Sequence, residues 1–362
     1  MTDAVIVGGG PAGAAAACVL ARADRDVVVL ERDTAPSHKI CGEFLGGVAL
    51  RQLFSLGIDV AALGAHRIDR LRLVRGARVI ATELPFEAAG LSRRRMDEAL
   101  LDAAIAAGAT VRRGTRVEGF RDGAVVTADH RYSAGAVLLA TGKHDLREVR
   151  RTLKKPPEAL VGFKMHFRLS AAERAELAGH IELILFDDAY AGLQPIEDGM
   201  ANLCLLVDSA RFAAAGSRWE GLIADLTRES PHLRRRLGDA SELFDHPLAI
   251  ARVPYGFVHS EGAEDGVFRL GDQMGVIPSF CGEGLAIALH SGAAAGRWIA
   301  AGGSSAAFHA RMRRDMSRQI RLASSLYRLG RMRVGQAAML AAAALWPGAL
   351  SRLAAATRIG SG

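Results

Sequence analysis

The chain has 362 residues, 50% of them hydrophobic and 23% charged. That is material for roughly two packed domains, and it excludes disordered, collagen-like and low-complexity chains. Four scattered cysteines and no Cys/His cluster at zinc-ligand spacing exclude a disulfide scaffold and predict no metal, while the net charge of +7 favours an anionic cofactor, acidic partner or anionic membrane.

The apolar run over residues 4–21 follows Asp3 without a basic segment and is broken by Gly8, Gly9, Gly10 and Pro11, so it reads as strand, turn and helix rather than a signal peptide. Residues 4–7 predict a buried strand, 11–22 a helix with proline in its first turn, and 27–30 a second strand ending at Glu31. A helix over 93–107 follows, then short strands near Val111 and over 116–120, 125–128 and 136–140, with turns at Gly108, Gly114 and Gly123. Longer alternating strands over 162–169, 181–187, 189–195 and 201–207 predict a separate antiparallel sheet, with a helix near 218–227 beside it. Apolar strand and helix return over 267–270 and 284–300. The expected class is α/β. Residues 1–70, 92–158 and 254–303 form a discontinuous nucleotide-binding domain, 71–91 and 159–253 an inserted sheet domain, and 304–362 a helical tail.

Gly8, Gly10 and Gly13 make G-x-G-x-x-G between strand and helix, with Pro11 and Ala12 inside it, and Glu31 follows Gly13 by 18 residues. The glycines let backbone approach a pyrophosphate, the helix start offers N–H groups, and the carboxylate accepts from a ribose. The motif alone does not separate NAD from FAD. Further on, Asp272 follows a strand, and Gly282 and Gly284 precede a helix, an arrangement suited to a ribityl hydroxyl and the anionic end of a flavin.

These segments, with Ser92-Arg93 to Asp97, resemble the FAD-dependent aromatic hydroxylases and geranylgeranyl reductases of the p-hydroxybenzoate hydroxylase-like superfamily. The resemblance implies a Rossmann-type FAD domain with an inserted antiparallel substrate sheet and C-terminal helices. It places Glu31, next to Arg32, on the adenosine ribose, Arg93 on the FAD, Val117 beside the adenine and Asp272 at the ribityl or pyrophosphate region. Electrons then come from NAD(P)H or another donor, which has no Rossmann domain of its own here. Residues 39–43, Lys-Ile-Cys-Gly-Glu, are similar to the reductases' K-x-C-G-G segment, whereas Tyr190 to Pro195 lacks the tryptophan and phenylalanine of their Y-x-W-x-F-P motif. Residues 140–147 stand in place of the hydroxylases' DG motif without its aspartate, and the halogenases' W-x-W-x-I-P is missing.

Only five lysines occur, Lys39, Lys143, Lys154, Lys155 and Lys164, which singles out Lys39 and Lys164 as positions that need an ammonium rather than a guanidinium. Alternation over 163–169 puts Lys164 and His166 on the polar face of a strand, expected to overlook the flavin, with His166 as acid or base. Cys41 and Cys281 lie in Cys-Gly-Glu triplets near the isoalloxazine. From Phe308 to Met332 apolar residues recur at steps of three and four among arginines, giving a basic amphipathic helix expected to dock on the FAD domain, with an anionic membrane as the alternative. No nucleic-acid motif accompanies the charge. The leading expectation is a cytoplasmic FAD-dependent monooxygenase of secondary metabolism, possessing a hydrophobic aromatic or polyketide-type substrate and, through the tail, an alternative address at the inner membrane face. The competing expectation is an ene-reductase acting on prenyl or lipid double bonds.

Overall fold

The computed structural model describes residues 2–153, 158–260, 264–346 and 348–359, so Lys154, Lys155 and Pro347 lie outside it, as do residues 360–362 of the tail. Thr2–Val7 pairs in parallel with Val27–Leu30 on one side and Arg131–Leu139 on the other. Thr110–Arg112 extends one edge and Val267–Arg269 pairs with the end of Arg131–Leu139 at the other. Residues 4–7, 27–30 and 136–139 read as continuous apolar runs because both faces are covered there. Ala4, Ile6, Val27 and Val29 pack under the helices Pro11–Ala21, Arg93–Ala106 and Gly284–Ala300, while Val5, Val7, Val28 and Leu30 face Phe120 and Val125 of an antiparallel meander. Helix Pro11–Ala21 lies so close to Gly284–Ala300 that a Cβ on Gly292 would sit 2.1 Å from the Ala12 carbonyl oxygen.

The second sheet runs Ser241–Glu242, Leu160–Arg168, Ala201–Asp208, Ala189–Pro195, Gly179–Phe186, His66–Arg75, Arg78–Gly90, Phe44–Gly46, with Leu248–Ala251 also on Leu160–Arg168. Its inner pairings are antiparallel except that Gly179–Phe186 runs parallel to His66–Arg75. The first hairpin strand starts at His66 rather than at residue 71, and Phe44–Gly46 reaches in from the nucleotide-binding segment. Three residues carry no readable period, so that strand left no signal. One face buries Phe163, Met165 and Phe167 against Trp219, Leu222 and Leu233.

The tail helix Ser305–Gly330 packs Phe308, Met312, Met316, Ile320 and Ala323 into the core of the first sheet. The expected stripe ends earlier than the sequence suggested: Leu329 and Met332 are exposed. Two further helices, Arg333–Leu345 and Gly348–Ala356, cross the free face of the second sheet, where Leu340, Ala343 and Leu350 meet Leu73 and Leu185.

Candidate FAD and substrate site

Gly8 has φ 105°, and a Cβ there would lie 2.6 Å from the Ala140 oxygen; one on Gly13 would lie 2.0 Å from the Gly8 oxygen. Both positions therefore need glycine, and the turn between them presents bare backbone at the start of Pro11–Ala21, where no side chain caps the helix. Glu31 is oriented by two backbone donors, Gly9 N–H to Oε2 at 2.7 Å and Asp33 N–H to Oε1 at 2.9 Å. A carboxylate has about four acceptor sites, so two are left for hydroxyls. Arg93 is clamped by Asp97 through paired bonds of 2.7 and 2.6 Å, with its guanidinium beside Gly10. Arg32 meets Asp33 at 3.4 Å, and half-buried Val117 opens the strand Val117–Arg121. Asp272 is partly exposed, with Lys143 Nζ at 3.7 Å, and the adjoining Gly271 has φ 55° and donates to Ser291 Oγ. Gly282, at φ 69°, turns the chain into Gly284–Ala300. The cradle, the half-satisfied acid and the second glycine turn fit a dinucleotide.

Residues 1–137 match the family model described as an FAD binding domain. The protein is an FAD-dependent oxidoreductase. Over 324 residues it is 27% identical to a menaquinone reductase of Mycolicibacterium smegmatis, covering 83% of this chain and 77% of that one. A squalene monooxygenase of Mus musculus is 44% identical over 68 residues, 18% of this chain and 12% of its own. In fold the oxidoreductase superimposes on the flavin-dependent brominase Bmp2 with a TM-score of 0.82 at 18% identity, covering 99% and 94% of the two chains. That likeness shows a shared fold and no more.

The loop over residues 39–43 links the FAD domain to the second sheet, and the structure corrects the expected roles of Lys164 and His166. Both are out of water, and neither lines the cavity on the second sheet described below. Instead they converge on Glu43, itself fully buried with φ 56°. Lys164 Nζ bonds Glu43 Oε1 and donates to the Lys39 carbonyl at 3.0 Å, and His166 Nε2 lies 2.7 Å from Glu43 Oε2. The Arg93 N–H donates to the same carboxylate at 2.7 Å. Burial pushes the Glu43 carboxyl up, but the His166 bond and the Lys164 charge outweigh it and hold it below its ordinary range. Asn202 donates to the Cys41 and Gly42 carbonyls at 3.2 and 2.8 Å and Gln194 to the Glu43 carbonyl at 2.7 Å, so four side chains of the sheet pin this loop. The polar face of the strand is thus filled by Glu43, a carboxylate that alternation alone did not locate.

Lys39 is ion-paired with Asp33, not aimed at the cavity, and half-buried Cys41 turns its sulfur toward the Glu43 N–H at 3.3 Å. Ligand atoms of His38, Glu43 and His166 lie within 4.8 Å of one another. A cation there would face the Lys164 ammonium across the same carboxylate, so the cluster reads as an ion-paired post rather than a metal centre.

On the free face of the second sheet lies a cavity of about 140 Å³. Leu71, Leu73, Phe86 and Leu183 form its floor, Met339, Leu350 and Leu353 of the tail its roof, and residues 279–282 one end. Cys281 lines it, but burial pushes that thiol up to about 12, so it stays a thiol. The polar end holds a hydroxyl cluster that no motif announced. Tyr190 and Tyr255 both bond the Ser279 hydroxyl, Tyr255 at 2.9 Å, and Tyr190 and Ser279 line the cavity. Tyr255 also meets Tyr190, so the three hydroxyls close on one another at that end of the cavity. Burial raises both phenols above their ordinary range. Tyr190 stood in the sequence as part of a departed motif; Ser279 and Tyr255 gave no signal, because only folding brings 190, 255 and 279 together.

Proposed function

We propose that the protein reduces a carbon–carbon double bond in a hydrophobic, lipid-like substrate. The observation that carries this reading is the chemistry of the cavity: largely apolar walls, no imidazole among the described residues that line it, and a cluster of protonated hydroxyls beside the glycine turn of the cofactor site. FAD, once reduced by NAD(P)H or another donor, supplies a hydride. The chain supplies the rest: Tyr190 and Ser279 deliver a proton to the second carbon, so the double bond gains two hydrogens and the donor loses two electrons. The apolar wall orients the chain of the substrate and excludes water. The likeness over most of both chains to a menaquinone reductase supports the same reading.

Oxygen transfer to an electron-rich carbon is the second reading, favoured by the roofed, water-excluding cavity that such chemistry also needs. Its phenol form loses support with His166 committed to Glu43. Incubation of the FAD-loaded enzyme with a reductant and a polyprenyl quinone under strict anaerobiosis separates the two. Saturation of a double bond without oxygen supports reduction; labelled oxygen in the product, with no turnover when oxygen is excluded, overturns it.

A further inference from the structure

Helix Arg333–Leu345 is apolar on both sides. Its inner side buries Leu340 and Ala343 on the second sheet, while Val334, Ala338, Ala341 and Leu345 stand exposed along its outer side. No residue from Val334 to Trp346 is charged. A helix in water ordinarily turns a charged face outward. Among the described residues eight large hydrophobic side chains are exposed, and five of them, Leu329, Met332, Val334, Leu345 and Trp346, fall within 329–346 at 42–87% exposure. This is a contiguous stretch, unlike the scattered Phe54, Val79 and Ile105.

The charge carried by the tail itself has one sign. After Asp315 the chain carries seven arginines and no carboxylate. Arg331 and Arg333 are spent on Glu158, Asp208 and Asp187, but among the described residues Arg318, Arg321, Arg328 and Arg352 meet no acid, and Arg352 lies 4.6 Å over the Trp346 ring. Exposed leucine, valine and tryptophan edged by arginine is the composition of a surface that sinks into the headgroup layer of an anionic bilayer. Gly348–Ala356 turns away at 117°, and the inner sides of both helices are covered by the protein's own sheet. The pair is therefore placed to lie on a membrane rather than cross it.

We propose that this outer face docks on an anionic lipid bilayer and that the cavity beneath it takes its substrate from the membrane. Met339, Leu350 and Leu353 line that cavity from the same two helices, so one helix thickness separates the lipid phase from the site. The entry route rests on the lipid-like substrate proposed above; the docking does not.

The test is flotation of the full FAD-loaded chain with vesicles of phosphatidylglycerol and phosphatidylcholine, against phosphatidylcholine alone. Co-flotation with the anionic vesicles, weakened by salt, is expected. Val334→Glu, Leu345→Glu and Trp346→Glu combined should lower the bound fraction at least ten-fold while FAD content and thermal midpoint stay unchanged; should the combination not fold, Leu345→Glu alone should still lower it several-fold. No flotation with anionic vesicles, or flotation indifferent to these changes, overturns the proposal. So does a wild-type dimer that the same changes dissociate without any vesicle binding, which assigns the face to a second copy. No arm reads turnover, so a failure of the reductase reading and a failure of docking are told apart.

Discussion

The Lys164 ammonium meets the Glu43 carboxylate with both side chains wholly out of water, tying the second sheet to the loop that leads from the FAD cradle. Removing one partner leaves the other buried and unpaired, which costs about 3–5 kcal/mol. Glu43→Gln and Lys164→Met should each destabilise the protein on that scale in urea titrations, whereas the double variant should lose less than the sum. Full additivity would show that the two groups act independently.

The cradle predicts a graded loss of cofactor. Glu31→Ala and Asp272→Ala should each weaken FAD by about 1–3 kcal/mol, the scale of a charge-assisted hydrogen bond with its partner unmet. Gly13→Ala should abolish binding or fold, because its Cβ collides with backbone at 2.0 Å. Flavin fluorescence titration of the apoprotein measures all three.

What the sequence made legible was local and periodic. The strand, glycine turn and helix over residues 4–21, and the acid at Glu31, follow from hydrophobic runs and backbone geometry, so they could be read without a partner. The polar face of residues 164 and 166 was equally legible, yet its function depended on Glu43, more than a hundred residues away in the chain. A buried ion pair and a solvated face have the same pattern, and only tertiary contact separates them. The hydroxyl cluster is the extreme case, three ordinary residues on three segments.

Buried histidines make stability depend on pH, two of them most strongly. Burial, with Lys164 and His166 nearby, lowers His38 to about 4, and burial with His259 and Arg269 lowers His309 to about 3. Both stay neutral in the fold while the unfolded chain takes up protons near pH ~6.5. The unfolded state thus binds more protons as pH falls from about 6.5, and stability declines over that interval. Glu43 adds to the loss only further into acid, since its lowered pKa keeps its contribution intact above about 4.5. The urea midpoint should fall between about pH 7 and 5, and His309→Phe should flatten that fall; a flat wild-type profile would show that neither histidine is held neutral.

The hydroxyl cluster separates two roles at one end of the cavity. Tyr190 and Ser279 line it, whereas Tyr255 stands behind them, in contact with both hydroxyls. Tyr190→Phe leaves Ser279 free to accept from Tyr255 and donate its own proton inward, so a moderate loss of turnover is expected. Ser279→Ala breaks both contacts to the serine and leaves the tyrosines with each other. The double variant Tyr190→Phe with Ser279→Ala removes every hydroxyl of the cluster that faces the cavity and should lower turnover by about 10²-fold or more, the usual contribution of a positioned proton donor. Tyr255→Phe, a positioning change, should lower it less. Because burial raises both phenols, they keep their protons through neutral pH, and the wild-type rate should show no loss from tyrosine ionisation below pH ~10. FAD affinity should stay constant across the series, since none of these hydroxyls belongs to the glycine cradle. Equal turnover in the double variant would move the proton source elsewhere in the cavity.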